Sequence, residues 1–224
     1  PHIAAYAWSS SGFGTKYSNP ATLPAGYAGA PAFSPTGTEI ALGHDISPYI
    51  SAYAWTDGSG FGTKFSNPAT LPGSTGYNAA FSPDGTEIAV ATYGSPYITA
   101  YPWSSSGFGT KFTNPATLPT SNGYSVDFSP DGTAVALAVY SSPRIVVYAW
   151  SSSGFGTKYT DPATIPTGYP SGTAFSTDGT AIAVAHQTTP FITAYPWSSS
   201  GFGTKFTDPA TLPTGRGIGV SFSI

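Results

Sequence analysis

Few residues in this sequence could do chemistry, and their spacing argues against it. The three histidines, His2, His44 and His186, fall near the ends of different β-type segments. None lies at helix or hairpin spacing from a pair of carboxylates, so no metal-ligand signature forms. His44 and His186 share a repeat position with Thr92 and Val139, which reads as a half-buried strand end. Glu39 and Glu87 are replaced by Ala134 and Ala181 in other copies, so both read as solvated. Glycosidase chemistry needs two carboxylates roughly 5 to 9 Å apart, and nothing in the spacing specifies such a pair. Serine is plentiful, yet no nucleophile elbow or His-partnered serine occurs. The Asp of each Ser-Pro-Asp-Gly is expected to bond its own turn backbone. With no cysteine, disulfides and thiolate metal sites drop out. The expectation is a protein that is not an enzyme and holds no metal or cofactor.

Aromatic residues carry the remaining signal. Trp8, Trp55, Trp103, Trp150 and Trp197 recur once per repeat beside Ser/Gly loops. They could stack on a sugar face. The favoured reading is structural, each Trp packing on Phe13, Phe61, Phe108, Phe155 or Phe202 of the adjoining strand. A second aromatic set lies where the copies diverge. One variable connection holds His44-Asp45-Ile46, Tyr93-Gly94, Tyr140-Ser141 and His186-Gln187-Thr188; the other holds Tyr27, Tyr77, Tyr124, Tyr169 and Arg216. Counted back from the next Phe, this second group differs by zero or two positions and so shares one strand face. Tyrosine offers a large, stiff surface with a hydrogen-bonding tip. The candidate ligand-binding residues are therefore Tyr27, Tyr77, Tyr124, Tyr169, Arg216, Asp45, Tyr93, Tyr140 and Gln187. Drift of loops after a recent duplication is the competing explanation.

The elements that must position these residues come from an internal repeat. Pro-x-Ile recurs at Pro1, Pro48, Pro96, Pro143 and Pro190, with spacings of 47, 48, 47 and 47. The extra residue falls where Thr56-Asp57-Gly58-Ser59 replaces Ser-Ser-Ser, marking a surface loop. Each unit contains four strand-like runs. In the third copy, Tyr124 to Phe128 leads into the Ser129-Pro130-Asp131-Gly132 turn, and Ala134 to Tyr140 alternates aliphatic with alanine. Arg144 to Trp150 and Phe155 to Thr160 follow. The last run ends at Asp161-Pro162 and carries a Lys, which suits an exposed outer edge. By elimination the run ending in Phe128 is innermost. Four antiparallel strands per unit describe a propeller blade. Residues 1–224 are thus expected to form a single all-β domain, a five-bladed β-propeller of four-stranded antiparallel blades.

Phe81-Ser82-Pro83-Asp84-Gly85-Thr86, then Ile88-Ala89-Val90-Ala91 and Tyr97-Ile98-Thr99-Ala100-Tyr101, resembles WD-repeat and related bacterial propellers. The resemblance extends over essentially the whole chain, although the Trp-Asp pair and a Gly-His start are lacking. The unit is also similar to tandem repeats of bacteriophage and environmental proteins.

Closure of the ring is uneven. Phe128 precedes Pro143 by 15 residues, whereas only two residues follow Phe222, so the closing blade lacks its hairpin turn and second strand. About a dozen residues upstream of Pro1, or another chain, are expected to fill that place. Self-association through the incomplete blade follows as an expectation.

Composition bounds the partners. Charged residues are 8% of the chain and the net charge is −3, with the five lysines spread one per repeat. That excludes a nucleic-acid footprint, and no run approaches the length of a membrane span. The expected function is a non-catalytic binding module that engages a glycan or protein multivalently. The alternative is a structural part of a virion, filament or surface assembly, or an engineered symmetric scaffold. An extracellular or virion-associated setting suits either.

Overall fold

The computed structural model describes residues 3–223. Its elements are all strands. Four repeats of an antiparallel four-strand meander follow one another. The innermost strands are β3 (Ala28–Phe33), β7 (Gly76–Phe81), β11 (Gly123–Phe128) and β15 (Pro170–Phe175). The second strands are β4 (Glu39–His44), β8 (Glu87–Thr92), β12 (Ala134–Val139) and β16 (Ala181–His186). Third come β1 (Tyr6–Ser9), β5 (Ile50–Thr56), β9 (Ile98–Ser104), β13 (Ile145–Ser151) and β17 (Ile192–Ser198). The outer strands are β2 (Gly12–Lys16), β6 (Gly60–Lys64), β10 (Gly107–Phe108), β14 (Gly154–Lys158) and β18 (Gly201–Phe202). Two meanders stand as separate four-stranded sheets. The other two join through one parallel bridge, Ala30 to Asn78, into a curled eight-stranded sheet. β1 and β2 form a separate hairpin.

The inner hairpin turns behave as the sequence implies. Ser129 Oγ donates to Asp131 Oδ1 at 2.6 Å, Thr133 N donates to the same oxygen at 3.0 Å, and Ala134 N donates to Ser129 Oγ. Gly132 supplies the left-handed residue that closes the turn, with φ at 70°. Ser82, Asp84 and Thr86 repeat the arrangement, and those bonds, led by the one from Ser82, hold the Asp84 carboxyl below its ordinary range.

Blade stacking explains the alternation of the second strands. Ala89 and Ala91 of β8 face Val135, Leu137 and Val139 of β12, and Ala134 and Ala136 of β12 face Ile182 and Val184 of β16. A flat alanine face on one sheet thus receives the bulky face of the next, which is how a pleated surface fills space at crystal-like density. Tyrosine ties each of three third strands to the connection that leads into its own blade. The Tyr101, Tyr148 and Tyr195 hydroxyls donate to the carbonyls of Thr70, Thr117 and Thr164. Burial pushes all three phenols above their usual pKa.

Two minor expectations need correction. Glu87 is buried rather than solvated, because it opens a second strand flanked on both sides, paired across to Pro102. His44 and His186 are fully buried, not half-buried. The His44 ring lies 2.6 Å from the Ile46 carbonyl and 3.0 Å from Ser51 Oγ, and His186 Nε2 lies 2.9 Å from Thr193 Oγ1. Desolvation lowers the pKa of both, so they serve as neutral polar links inside the blades. His2 lies outside the described residues.

Candidate functional site

A cavity of about 700 Å3 opens where the inner strands converge. Its wall is drawn from β3, β7, β11, β15 and the stretch 218–222. The inner strands come very close. A Cβ on Gly29 would lie 1.8 Å from the Tyr77 carbonyl oxygen, and one on Gly172 would lie 2.9 Å from Gly219 Cα. Only glycine permits these approaches.

An innermost strand has a second edge that pairs with no strand of its own blade, so its N–H groups need other partners. Side chains of the preceding blade provide several. Asn78 Oδ1 accepts from Val126 N at 2.9 Å, Ser125 Oγ accepts from Thr173 N at 3.2 Å, and Asp127 Oδ2 accepts from Phe175 N at 2.7 Å. Ser171 Oγ donates to the Gly217 carbonyl at 2.5 Å. These side chains are unique to their copies. The position of Asp127 is alanine at Ala32, Ala80 and Ala174 and serine at Ser221.

Asp127 is the one side-chain carboxylate among the described residues lining this cavity. Desolvation raises its pKa to about 6, offset in part by the N–H groups of Phe175 and Phe128. Its side chain is half-buried because the cavity reaches it, while protein surrounds it on the other sides. A carboxyl with this pKa changes charge near neutrality and can take a proton from water. Reading the sequence as a set of repeats overlooked it. The available signal was the residue before each inner-strand Phe, where one copy alone carries an acid.

The sequence-nominated residues fall into three groups. Tyr77, Tyr93, Tyr124, Tyr140 and Tyr169 form a continuous run of ring contacts. Tyr77 stacks on Tyr124 at 5.0 Å and meets Tyr93 at 6.2 Å. Tyr124 meets Tyr140 at 6.1 Å, and Tyr140 stacks on Tyr169 at 4.3 Å and 4°. Tyr77 and Tyr124 also line the cavity, so the run borders its mouth. Burial, reinforced by Tyr124 and Tyr93, lifts the Tyr77 phenol above its ordinary pKa. Asp45 and Tyr27 form a second group, with Tyr27 N donating to Asp45 Oδ1 at 2.7 Å and Asp45 N to the Tyr27 carbonyl. Gln187 and Arg216 remain apart from the ring contacts. Gln187 N donates to the Tyr169 carbonyl, and Arg216 is exposed beside Gly217, whose N–H donates to the His186 carbonyl. The sequence reading missed Arg144, whose guanidinium carbon lies 4.8 Å from the Tyr169 ring centroid. The repeated tryptophans do pack on their phenylalanines, at 4.9–5.1 Å and near-perpendicular.

Antiparallel four-strand blades stacked face to face around a cavity define a protein of the β-propeller class. Two solved structures share this architecture. One is a protein from Bacteroides uniformis ATCC 8492 with the provisional name 6-phosphogluconolactonase: TM-score 0.69, 17% identity, 89% of this chain and 62% of that one. The other, from Bacteroides fragilis NCTC 9343 and with the same provisional name, gives TM-score 0.71 and 12% identity over 96% of this chain and 66% of its own. The chain therefore spans slightly under two thirds of either structure. No protein-family pattern and no curated sequence matches it. The likeness supports the propeller architecture without showing a WD-repeat or bacteriophage family. It also corrects the expectation of a non-catalytic binding module and of a protein that is not an enzyme, since both structures of this fold bear an enzyme's name.

Proposed function

We propose that this chain is a hydrolase acting on a sugar lactone in the cavity between its inner strands, with Asp127 as general base. The observation that carries the reading is the solitary Asp127 carboxyl, on the cavity wall with its pKa raised to about 6. Ionised Asp127 takes a proton from water, and the oxygen of that water bonds to the lactone carbonyl carbon. The ring C–O bond then breaks, and the leaving alkoxide takes the proton held by Asp127, which gives the open sugar acid and restores the carboxylate. The tyrosine run at the mouth offers ring faces and hydroxyls to the sugar, and Tyr27, Asp45, Gln187 and Arg216 are the further candidate contacts. The names of the two solved structures lend support at the level of reaction class. The same reading takes residues 1–224 as one five-bladed ring, in which β1, β2 and the stretch 217–223 supply the closing blade.

Hydrolysis of gluconolactone and of 6-phosphogluconolactone, each corrected for its spontaneous rate, tests the reading. Turnover should rise with pH through about 6 as Asp127 loses its proton. Asp127→Asn, which keeps an acceptor for Phe175 N, should cost roughly 10²- to 10⁴-fold in kcat. A wild-type chain that accelerates neither lactone would sink the proposal, as would an Asn variant that retains full rate. The latter result would leave Asp127 as a link between inner strands only.

A further inference from the structure

Four Asp-Gly steps occur in the chain, at Asp57, Asp84, Asp131 and Asp178. Glycine has no side chain, so its amide nitrogen can approach the preceding carboxyl uncrowded. Whether a given step reacts then depends on where the carboxyl and the glycine N–H are held. In three of the four, both are engaged elsewhere. Gly85 N, Gly132 N and Gly179 N donate to the Ser82, Ser129 and Ser176 carbonyls, each at 2.9 Å. The three carboxylates accept from the hydroxyls of those same serines and from the N–H and hydroxyl of Thr86, Thr133 and Thr180. These bonds, the serine's foremost, hold the Asp84 and Asp178 carboxyls below their ordinary pKa range. A carboxyl kept ionised in this way has no neutral acid oxygen to lose as water.

Asp57 is placed differently. It belongs to Thr56-Asp57-Gly58-Ser59, the stretch that replaces Ser-Ser-Ser of the other copies and joins β5 to β6. Ser59 N donates to the Thr56 carbonyl at 3.0 Å to close the turn, and residues 56–59 are exposed. Gly58 N donates to Asp57 Oδ1 at 2.9 Å, so the nitrogen rests against the carboxyl it would attack. We propose that Asp57 is a site of spontaneous isomerisation in the folded protein, with water as the only co-reactant. Gly58 N loses its proton and bonds to Asp57 Cγ, and one carboxyl oxygen leaves as water to give a five-membered succinimide. Water then adds to either ring carbonyl. Opening at the former side-chain carbonyl restores aspartate. Opening at the main-chain carbonyl leaves Gly58 attached through Cγ, an isoaspartyl linkage with one extra methylene in the main chain and a free α-carboxylate. One water leaves and one enters, so the product differs from the parent only in connectivity. The inference is independent of the hydrolase reading.

Incubating the chain at neutral pH in water enriched in oxygen-18, then digesting it with trypsin in ordinary water, tests this. Cleavage after Lys16, Lys64, Lys111, Arg144, Lys158 and Lys205 puts the four steps on separate fragments, 17–64, 65–111, 112–144 and 159–205. Fragment 17–64 should gain one heavy oxygen at Asp57 and yield an isoaspartyl form that chromatography resolves from the parent. Its rate should exceed that of the other three steps by at least about tenfold. In a denaturant that unfolds the chain the four rates should converge, because the turn bonds that distinguish them are gone. Asp57→Glu keeps the charge but would have to close a six-membered ring, and fragment 17–64 should then lose its label. Absence of label at Asp57, equal labelling of the four fragments in the folded chain, or a faster rate at Asp84, Asp131 or Asp178 would each overturn the proposal. So would a preference for Asp57 that persists undiminished after unfolding, since the order would then come from sequence rather than from the fold.

Discussion

Residues 6–17 and 148–159 have the same twelve-residue sequence, Tyr-Ala-Trp-Ser-Ser-Ser-Gly-Phe-Gly-Thr-Lys-Tyr. Both fold into the same hairpin in the same register. Trp8 faces Phe13 and Ser9 faces Gly12 in one, and Trp150 faces Phe155 and Ser151 faces Gly154 in the other. Their surroundings differ. Tyr6 and Trp8 are 48% and 72% exposed, whereas Tyr148 and Trp150 are 0% and 6% exposed. Local sequence therefore specifies the hairpin, with Gly12 and Gly154 both at the positive φ its tight turn needs. Burial is conferred by neighbours. Trp150 contacts Phe112 of the preceding blade and Phe128 of its own inner strand. Among the described residues Trp8 has one ring partner, Phe13.

The largest test of this contrast replaces each tryptophan by alanine. Trp150→Ala leaves a cavity among three aromatic rings and should cost about 3–5 kcal/mol. Trp8→Ala removes an exposed side chain and should stay within about 0.5 kcal/mol. Urea unfolding of both variants measures the difference. Equal losses would mean that residues 6–17 are as well covered in solution as residues 148–159.

The inner strands supply the converse comparison, the same place in the fold with different residues. Ala80 and Asp127 occupy equivalent positions, but only Asp127 titrates. Its pKa is raised from 3.8 to about 6, so the folded state favours the protonated form. Well below 3.8 the carboxyl is neutral in both states and makes no difference to stability. As pH rises towards 6 the unfolded chain ionises first, and the penalty grows. Above 6 it is complete, on the order of 3 kcal/mol for a gap of about two units. Asp127→Asn should therefore match the wild type well below pH 3.8 and exceed its stability at neutral pH. Denaturant midpoints across that range check the sign, and a gap that fails to open with rising pH contradicts a raised pKa.

How much of this was legible in the sequence follows from the same two comparisons. Strand order was readable because Pro162 and its equivalents mark an edge and Ser129-Pro130-Asp131-Gly132 marks a turn, both local devices with local causes. The stacking of alanine faces on aliphatic faces was readable from period-2 alternation. Asp127 was not, because its raised pKa comes from burial that only the assembled inner strands create, and its partner Phe175 N lies 48 positions away. Arg144 was missed for a similar reason, since Tyr169 belongs to the next copy. Glu87 was misread because replacement by alanine in other copies says nothing about exposure at the start of a covered strand.

A smaller test returns to the paired hairpins through their leading tyrosines. The Tyr148 hydroxyl donates to the Thr117 carbonyl at 2.9 Å within the protein, while Tyr6 is half exposed beside Phe13. Tyr148→Phe leaves that carbonyl without this donor and should cost about 1 kcal/mol, whereas Tyr6→Phe should be neutral. Thermal midpoints suffice to rank the two, and a Tyr6→Phe loss as large as that of Tyr148→Phe would place a buried partner on Tyr6.

The smallest expected effect concerns the residue that follows each outer strand. Lys158 and Lys205 pair with Asp161 and Asp208, while Lys16, Lys64 and Lys111 make the same side-chain contact with the neutral amide oxygens of Asn19, Asn67 and Asn114. Five copies of one geometry, two charged and three neutral, imply that the hydrogen bond matters more than the ion pair. An exposed pair gains little in water, and salt screens what it gains. Asp161→Asn should therefore change stability by less than about 0.5 kcal/mol, and raising the salt to about 1 M should erase even that. Urea midpoints at low and high salt decide it. A larger, salt-sensitive loss would mean that the periphery of this blade depends on its charge, and that the hairpins at 148–159 and 6–17 differ in more than burial.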